Sequence, residues 1–270
     1  MQPRLVVVGF GNVGQAIVRG AIQSGIAAPS EIGVIDIDPL RQDEARALGL
    51  RSVAADAIAE AEFLVLAVKP QHFAHAATAL GAVAADGPLV VSVMAGVRSD
   101  AIRAALGEAA RVVRAMPNTP AAVRRGITAI ASDAMVPAAD LERAEQLFAS
   151  VGRTVRVPEP LFDAVTAVSG SGPAFAFRFL EAWTQAAEEL GLPSETAAVL
   201  ARETFVGSAA LLDETREAPE VLRAKVTSKG GTTAAGVARF EDPAPRAGGL
   251  DALVIEALRA ARDRGAELGR

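Results

Sequence analysis

The sequence predicts two domains: an α/β domain with a doubly wound parallel sheet at residues 1–158, and an all-helical domain at 159–270. Three features carry that expectation. A β-branched run in RLVVVGFGNVGQAIVRGAIQSG ends in the pattern GxGxxG at Gly9, Gly11 and Gly14. Short apolar runs then alternate with helical segments as far as VRVPEP, where Pro158 and Pro160 break the pattern. Beyond them the periodicity is helical, with Phe175, Phe179, Trp183 and Ala187 at four-residue spacing.

The first strand runs into a helix whose apolar face carries Ile17, Ala21 and Ile22. In that strand-turn-helix context the three glycines acquire separate uses: a tight turn, close approach of a pyrophosphate to backbone, and packing of helix on strand. This is the Rossmann-type dinucleotide turn, and Gly9, Phe10, Gly11, Asn12, Val13 and Gly14 become candidate cofactor contacts. The next apolar segment, EIGVIDIDP, brings Asp36 to its end, 22 residues after Gly14. A carboxylate there suits a ribose diol. Further strands are expected at FLVLAV from Phe63, PLVVSVMA from Pro88, RVVRAMP from Arg111 and GITAIAS from Gly126. Ligands of such sheets bind beyond the carboxyl ends of the strands. Those ends are AVKPQ, MAGV and MPNTP, which adds Ala67, Val68, Lys69, Pro70, Ala95, Gly96 and Asn118 to the candidate contacts.

In the second half, Pro173 suits a helical first turn, and Gly191 with Pro193 ends that helix. Ser194 is expected to cap a second helix running to about Asp213, APEVLRAKV to form a short third, and a final amphipathic helix to start near Leu250. The aromatic stripe from Phe175 reads as core or subunit interface, and helices this apolar suggest self-association. VTSKGGTTAAG, from Val226, interrupts the helical pattern with hydroxyls and adjacent glycines.

Composition narrows the chemistry. The 51% hydrophobic content is broken by charge too often for a membrane span. A net charge of -5 and the lack of any basic cluster interleaved with aromatics leave no face for nucleic acid. Cys and Tyr are absent, which removes thiolate chemistry and disulfides. With no secretory leader in the opening residues, a cytoplasmic location is expected. The two histidines, His72 and His75, have no third ligand motif beside them, so they read as a solvated helix face and no metal is expected.

Taken in order and spacing, GFGNVG, VKPQ, MPNTPAAVRRGITA, DAVTAVSGSGPAF and VTSKGGTT resemble pyrroline-5-carboxylate reductase over nearly the whole chain. The resemblance implies a helical C-terminal dimerisation domain, an active site at the dimer interface, dimers that assemble into decamers in some members, and reduction of a cyclic imine by NADPH or NADH. It implies that Ser228, Gly231, Thr232 and Thr233 bind the substrate carboxylate, with Thr233 also near the ring nitrogen as the catalytic candidate, and that backbone around Lys69 contributes. A glycine-rich loop opening a helix suits that role, because backbone N–H groups and the helix dipole attract an anion. An imine that enters already protonated needs hydride geometry more than a strong general acid.

Two positions depart from the family pattern. Lys229 stands where proline is expected before the glycine pair, and Ile37 follows Asp36 where NADP-preferring members tend to carry Arg after a small polar residue. Asp36 would repel a 2'-phosphate, so NADH is expected to serve at least as well as NADPH, although Arg41 could reach. Two rival readings are a β-hydroxyacid-dehydrogenase-like oxidoreductase and a non-catalytic NAD(P)-sensing protein. The first would place a Lys on the helix after SGSGP, where this chain has Arg178 and no Lys; the second would leave the SKGGTT loop without a ligand.

Overall fold

The computed structural model describes residues 3–132, 135–242 and 248–268, so the outer ends of the two expected domains, residues 1 and 270, lie outside it. Compact packing divides the chain into two units, one formed by Met1–Pro173 with Ala261–Arg270 and the other by Ala174–Ala260.

The first unit runs β1 (Leu5–Val8), α1 (Asn12–Gln23), β2 (Ile32–Ile35), α2 (Pro39–Ala47), β3 (Arg51–Ser52), β4 (Phe63–Leu66), α3 (Phe73–Leu80), β5 (Leu89–Ser92), α4 (Ser99–Leu106), β6 (Val112–Met116), β7 (Gly126–Ser132), α5 (Ala138–Ala149), β8 (Gly152–Arg156) and α6 (Phe162–Val165). One sheet has the order β3-β2-β1-β4-β5-β6-β7-β8. The first six strands are parallel, and reversal of strand order beside β1 creates the crevice in which such sheets hold ligands. Both faces of the central strands β1, β4 and β5 are buried, which is why these strands read as unbroken apolar runs. Leu5 and Val7 join Ile17, Leu147 and Phe148 on one face. Val6 and Val8 join Leu64, Phe73, Ile102 and Leu106 on the other.

The expectation of a parallel sheet needs one correction: β7 pairs antiparallel with β6, and β8 then pairs parallel with β7. A parallel return requires a crossover of a dozen or more residues. Here the connection holds only a short 3₁₀ turn, Thr119–Val123, closed by Arg124 in the left-handed region at φ 58°.

The amino edge of the sheet is tied by charge. Just before β1, Arg4 binds Glu62 at 2.8 Å; Arg143 of α5 reaches the same carboxylate at 2.9 Å and Asp140 at 3.2 Å. Arg111, just before β6, pairs with Asp140, and the Arg143 guanidinium lies 4.9 Å over the Phe63 ring. Arg4 and Arg143 hold the Glu62 carboxyl below its ordinary range, the hydrogen bond from Arg4 being the largest cause.

A separate ion pair fastens the segment after β8 to the sheet. Arg114 of β6 is almost fully buried; it donates to Glu159 at 3.1 Å and lies 4.6 Å over the Phe162 ring. The same Glu159 oxygen accepts the Ser99 amide at 2.8 Å, and burial pushes the guanidinium below its ordinary value against the pull of that carboxylate. A π turn at Thr166–Gly170 then precedes α7 (Gly172–Glu189).

The second unit contains most of α7, α8 (Ser194–Thr215), α9 (Pro219–Lys225), α10 (Thr232–Glu241) and the larger part of α11 (Gly249–Leu268). The cap expected at Ser194 is not formed; Ser194 is the first helical residue of α8, after Pro193, and no side chain bonds that helix start. Phe179 and Trp183 meet edge to face at 5.7 Å, yet Phe175, Phe177, Phe179 and Trp183 all remain exposed in the single chain. Val199, Leu200, Val206 and Leu211 of α8 are exposed as well, so this unit carries more apolar surface than a monomer usually shows. Among the described residues no helix is long and apolar enough to cross a membrane.

Helix α1 packs so closely on the turn after α5 that a side chain at Gly20 would overlap Val151 and come within 2.7 Å of the Ser150 hydroxyl. Alanine is better than glycine in a helix by about 1 kcal/mol, but overpacking a core costs roughly 1–3 kcal/mol. Gly20→Ala is therefore expected to lower Tm by a few degrees in a thermal melt. A rise in Tm would show that α1 can move off the turn.

Candidate functional site

The glycine turn is built by contact with its neighbours. Gly9 has φ 93°, in the left-handed region, and a side chain on it would sit 2.7 Å from the Ala67 carbonyl carbon and 2.8 Å from the Val68 nitrogen. A side chain on Gly14 would strike the Gly9 carbonyl. Between them Phe10 plugs its ring into the core, fully buried, which leaves the turn's backbone outermost.

Both ends of the Phe10 residue are held. Its amide donates to Asp36 Oδ2 at 2.6 Å, and its carbonyl accepts from Gln15 Nε2 at 3.2 Å. The other Asp36 oxygen accepts the Asp38 amide at 2.9 Å, and Gln42 donates to the Asp36 carbonyl at 2.8 Å. Asp36 thus stands fixed at the end of β2 beside the glycine turn, with oxygen lone pairs left over beyond these two bonds.

The residues present fit a dinucleotide. Gly11 precedes α1 as its cap position and offers no side-chain cap, and the first turn holds no acidic residue, so backbone amides there have no competing anion within the turn. The position a Cβ would take on Gly11 has nothing within 4 Å. That open space over a helix N-terminus is where a pyrophosphate can approach backbone, and Asp36 lies at the distance in sequence suited to a ribose.

Strand register brings the remaining candidates of this unit to the same edge. Val8 is level with Ile35 and Leu66, and Leu66 with Ser92, so Ala67 to Pro70, and Ala95 with Gly96, follow strand ends aligned with the glycine turn. Lys69 is exposed in extended backbone before a 3₁₀ turn at Pro70–His72, and Gly96 has φ 76°. Asn118, after β6, also has a structural role, in which its side-chain oxygen accepts the Ile127 amide at 3.0 Å and closes the turn into β7. His72 and His75 are both exposed, and no group of three metal-binding side chains occurs among the described residues.

In the second unit, Ser228, Gly231, Thr232 and Thr233 share one turn between α9 and α10. The Gly231 amide donates to the Ser228 carbonyl at 3.1 Å, Gly230 takes φ 72°, and a side chain on Gly231 would overlap the Ser228 hydroxyl. Helix α10 starts at Thr232 with no side-chain cap and no acidic residue in its first turn. Ser228, Thr232 and Thr233 are exposed, so their hydroxyls and the leading amides are open to an anion.

Gln15 and Glu44 belong to the same frame and are not apparent from sequence. Gln15 Nε2 bridges the Phe10 carbonyl and Glu44 Oε2, the latter at 2.7 Å, and Arg41 donates to that same Glu44 oxygen at 2.8 Å. Only the three-residue spacing of Arg41 and Glu44 on a helix could have signalled the pair.

Comparison with known proteins agrees with these features. The family described as pyrroline-5-carboxylate reductase dimerisation matches residues 159–268, and one described as NADP oxidoreductase, coenzyme F420-dependent, matches residues 4–96. A pyrroline-5-carboxylate reductase of Synechocystis is 42% identical, with all of both chains covered. One of Pseudomonas aeruginosa is 39% identical over 98% of this chain and 97% of its own. The solved structure of a pyrroline-5-carboxylate reductase from Coxiella burnetii superposes with a TM-score of 0.87 at 33% identity, covering 100% of each chain. With full-length relatives at this identity, and a glycine turn, an aligned strand edge and an uncapped SKGGTT helix start to match, the chain belongs to the pyrroline-5-carboxylate reductase family.

Proposed function

We propose that reduction of 1-pyrroline-5-carboxylate to L-proline by NAD(P)H, the last step of proline biosynthesis, is carried out here by the glycine turn of the first unit and the SKGGTT turn of the second. The observation that carries this assignment is the pair of uncapped helix starts, Gly11–Asn12 and Gly231–Thr232, each free of acidic residues. Two separate anions are to be held, a pyrophosphate and a substrate carboxylate, and each helix start offers amides to one. The reduced nicotinamide supplies a hydride to the C=N carbon.

The protein's own residues then divide the work. Gly9, Gly11 and Gly14 let backbone approach the pyrophosphate, with Phe10, Asn12 and Val13 completing the turn, and Asp36 accepts from the ribose diol. Ala67, Val68, Lys69 and Pro70, with Ala95, Gly96 and Asn118, line the strand ends toward the nicotinamide. Ser228, Gly231, Thr232 and Thr233 bind the carboxylate, joined by backbone near Lys69, while the Thr233 hydroxyl bonds the ring nitrogen and passes a proton from water when the imine arrives neutral. Lys229 adds positive charge near the carboxylate. The enzyme acts as a homodimer, because α7 and α8 leave their apolar side chains uncovered in one chain; its compartment is the cytoplasm, and the dimer is a unit from which a decamer can be built.

Asp36 with Ile37 beside it disfavours a 2'-phosphate, so NADH should serve at least as well as NADPH. Steady-state oxidation of both cofactors with pyrroline-5-carboxylate tests the reaction and the preference together. Turnover with comparable or higher kcat/KM for NADH is expected; a tenfold advantage for NADPH would overturn the preference. Cofactor binding without turnover would favour a sensor.

Gly11→Ala separates fold from function. Its backbone, at φ -75°, suits any residue and its Cβ meets nothing, so Tm should stay within about 2 °C, the shift for roughly 0.5 kcal/mol at an unobstructed site. Cofactor KM should rise about tenfold or more, since the methyl occupies the pyrophosphate space. An unchanged KM would remove the pyrophosphate from this turn.

Thr233→Val should lower kcat/KM by about 10- to 100-fold, the loss of one hydrogen bond to a charged group, while Thr233→Ser should stay within about threefold because the hydroxyl remains. Equal losses in both variants would point to packing instead of the hydroxyl.

A further inference from the structure

We infer that Glu44 is a specificity-determining residue for the cofactor: it ties down Arg41, the cation placed to receive a 2'-phosphate, and so keeps that phosphate without a partner. The inference rests on the cofactor assignment given above. Arg41 and Glu44 lie one helical turn apart on α2, which starts immediately after the Asp36–Asp38 turn. The Arg41 guanidinium donates to Glu44 Oε2 at 2.8 Å, from the first turn of the helix that Asp38 caps. The cation thus stands in the first helical turn after Asp36, the ribose partner assigned above, but is directed to a carboxylate that the protein supplies.

An exposed pair of this kind is worth little by itself. The feature that sets Glu44 apart is a second bond. Gln15, the residue following the third glycine of the turn, donates to the same oxygen at 2.7 Å while also donating to the Phe10 carbonyl. Phe10 in turn donates to Asp36. Glu44 is thus held by the glycine turn itself, and a chain of bonds runs Asp36, Phe10, Gln15, Glu44, Arg41. The brace that shapes the cofactor turn and the latch on Arg41 share one carboxylate. Withdrawing the cation and presenting Asp36 act in the same direction, against a phosphate and for a free diol.

The test is a binding cycle, read by calorimetry with NAD⁺ and NADP⁺ on the full-length protein: the parent, Glu44→Ala, Arg41→Ala and the double variant. Using the ratio of the two dissociation constants cancels any loosening of the turn common to both ligands. Glu44→Ala should shift the ratio toward NADP⁺ by about tenfold, the scale of one charge-assisted bond to phosphate at a partly exposed site. Arg41→Ala should change it less than about twofold, and the double variant should return to the parent ratio, because a released Arg41 is what binds the phosphate. Glu44→Gln, which keeps an acceptor for Gln15, should move the ratio in the same direction as Glu44→Ala.

A ratio unmoved by Glu44→Ala while the parent binds NAD⁺ would overturn the inference and leave the cofactor assignment standing. A shift that persists in the double variant would also overturn it, since removal of negative charge alone would then explain the change. A parent protein that binds neither dinucleotide would overturn both. If the parent prefers NADP⁺ and Arg41→Ala abolishes that preference, Arg41 is already free and the latch is wrong.

Discussion

The turn after β1 must pass within van der Waals contact of the strand end beside it, and most of the first unit is arranged around that passage. Ala67 and Val68 leave no room for a side chain on Gly9, and the Gly9 carbonyl leaves none on Gly14. These contacts bring α1 down onto the sheet, drive the Phe10 ring into the core and leave the Phe10 amide pointing at Asp36. A steric constraint between two backbones therefore decides where a carboxylate stands and which amides remain open. Neutral backbone groups do this work, and the charged groups are added around it.

The parts of this design that sequence reveals are those with a local cause. The glycine turn, the apolar strands and Asp36 are each readable because a glycine, a β-branched run or a spacing from Gly14 is enough to specify them. The SKGGTT helix start is readable for the same reason. The direction of β7 is less plain, because it depends on the length of a connection and on Arg124 adopting a left-handed conformation that arginine rarely takes. The anchoring of Glu159 by Arg114 is hidden too: the two residues are 45 positions apart, and an arginine inside an apolar strand resembles an edge residue until Phe162 and Glu159 are seen to cover it. Gln15 and Glu44 pass for ordinary surface residues in the sequence because their meaning lies in a bond between two helices.

The helical unit follows a different logic. Within one chain its interior is thin, with Ala197 and Ala201 the buried apolar residues of α8. Large side chains point outward where a self-sufficient domain would turn them in. The match of residues 159–268 to a family described by dimerisation agrees with that economy, since apolar side chains left exposed in one chain suit self-association.

The two edges of the sheet also answer to different solvent conditions. The carboxyl edge is shaped first by steric contact between backbones at Gly9 and Gly14, which salt does not screen, with the bonds to Asp36 and Glu44 added to it. The amino edge is held by Arg4, Glu62, Arg143, Asp140 and Arg111. Glu62 has its folded pKa depressed, so its contribution is present above the unfolded value and disappears as the pH falls through the folded one. Lowering the pH through that depressed value, like raising the salt, therefore weakens the edge remote from the glycine turn.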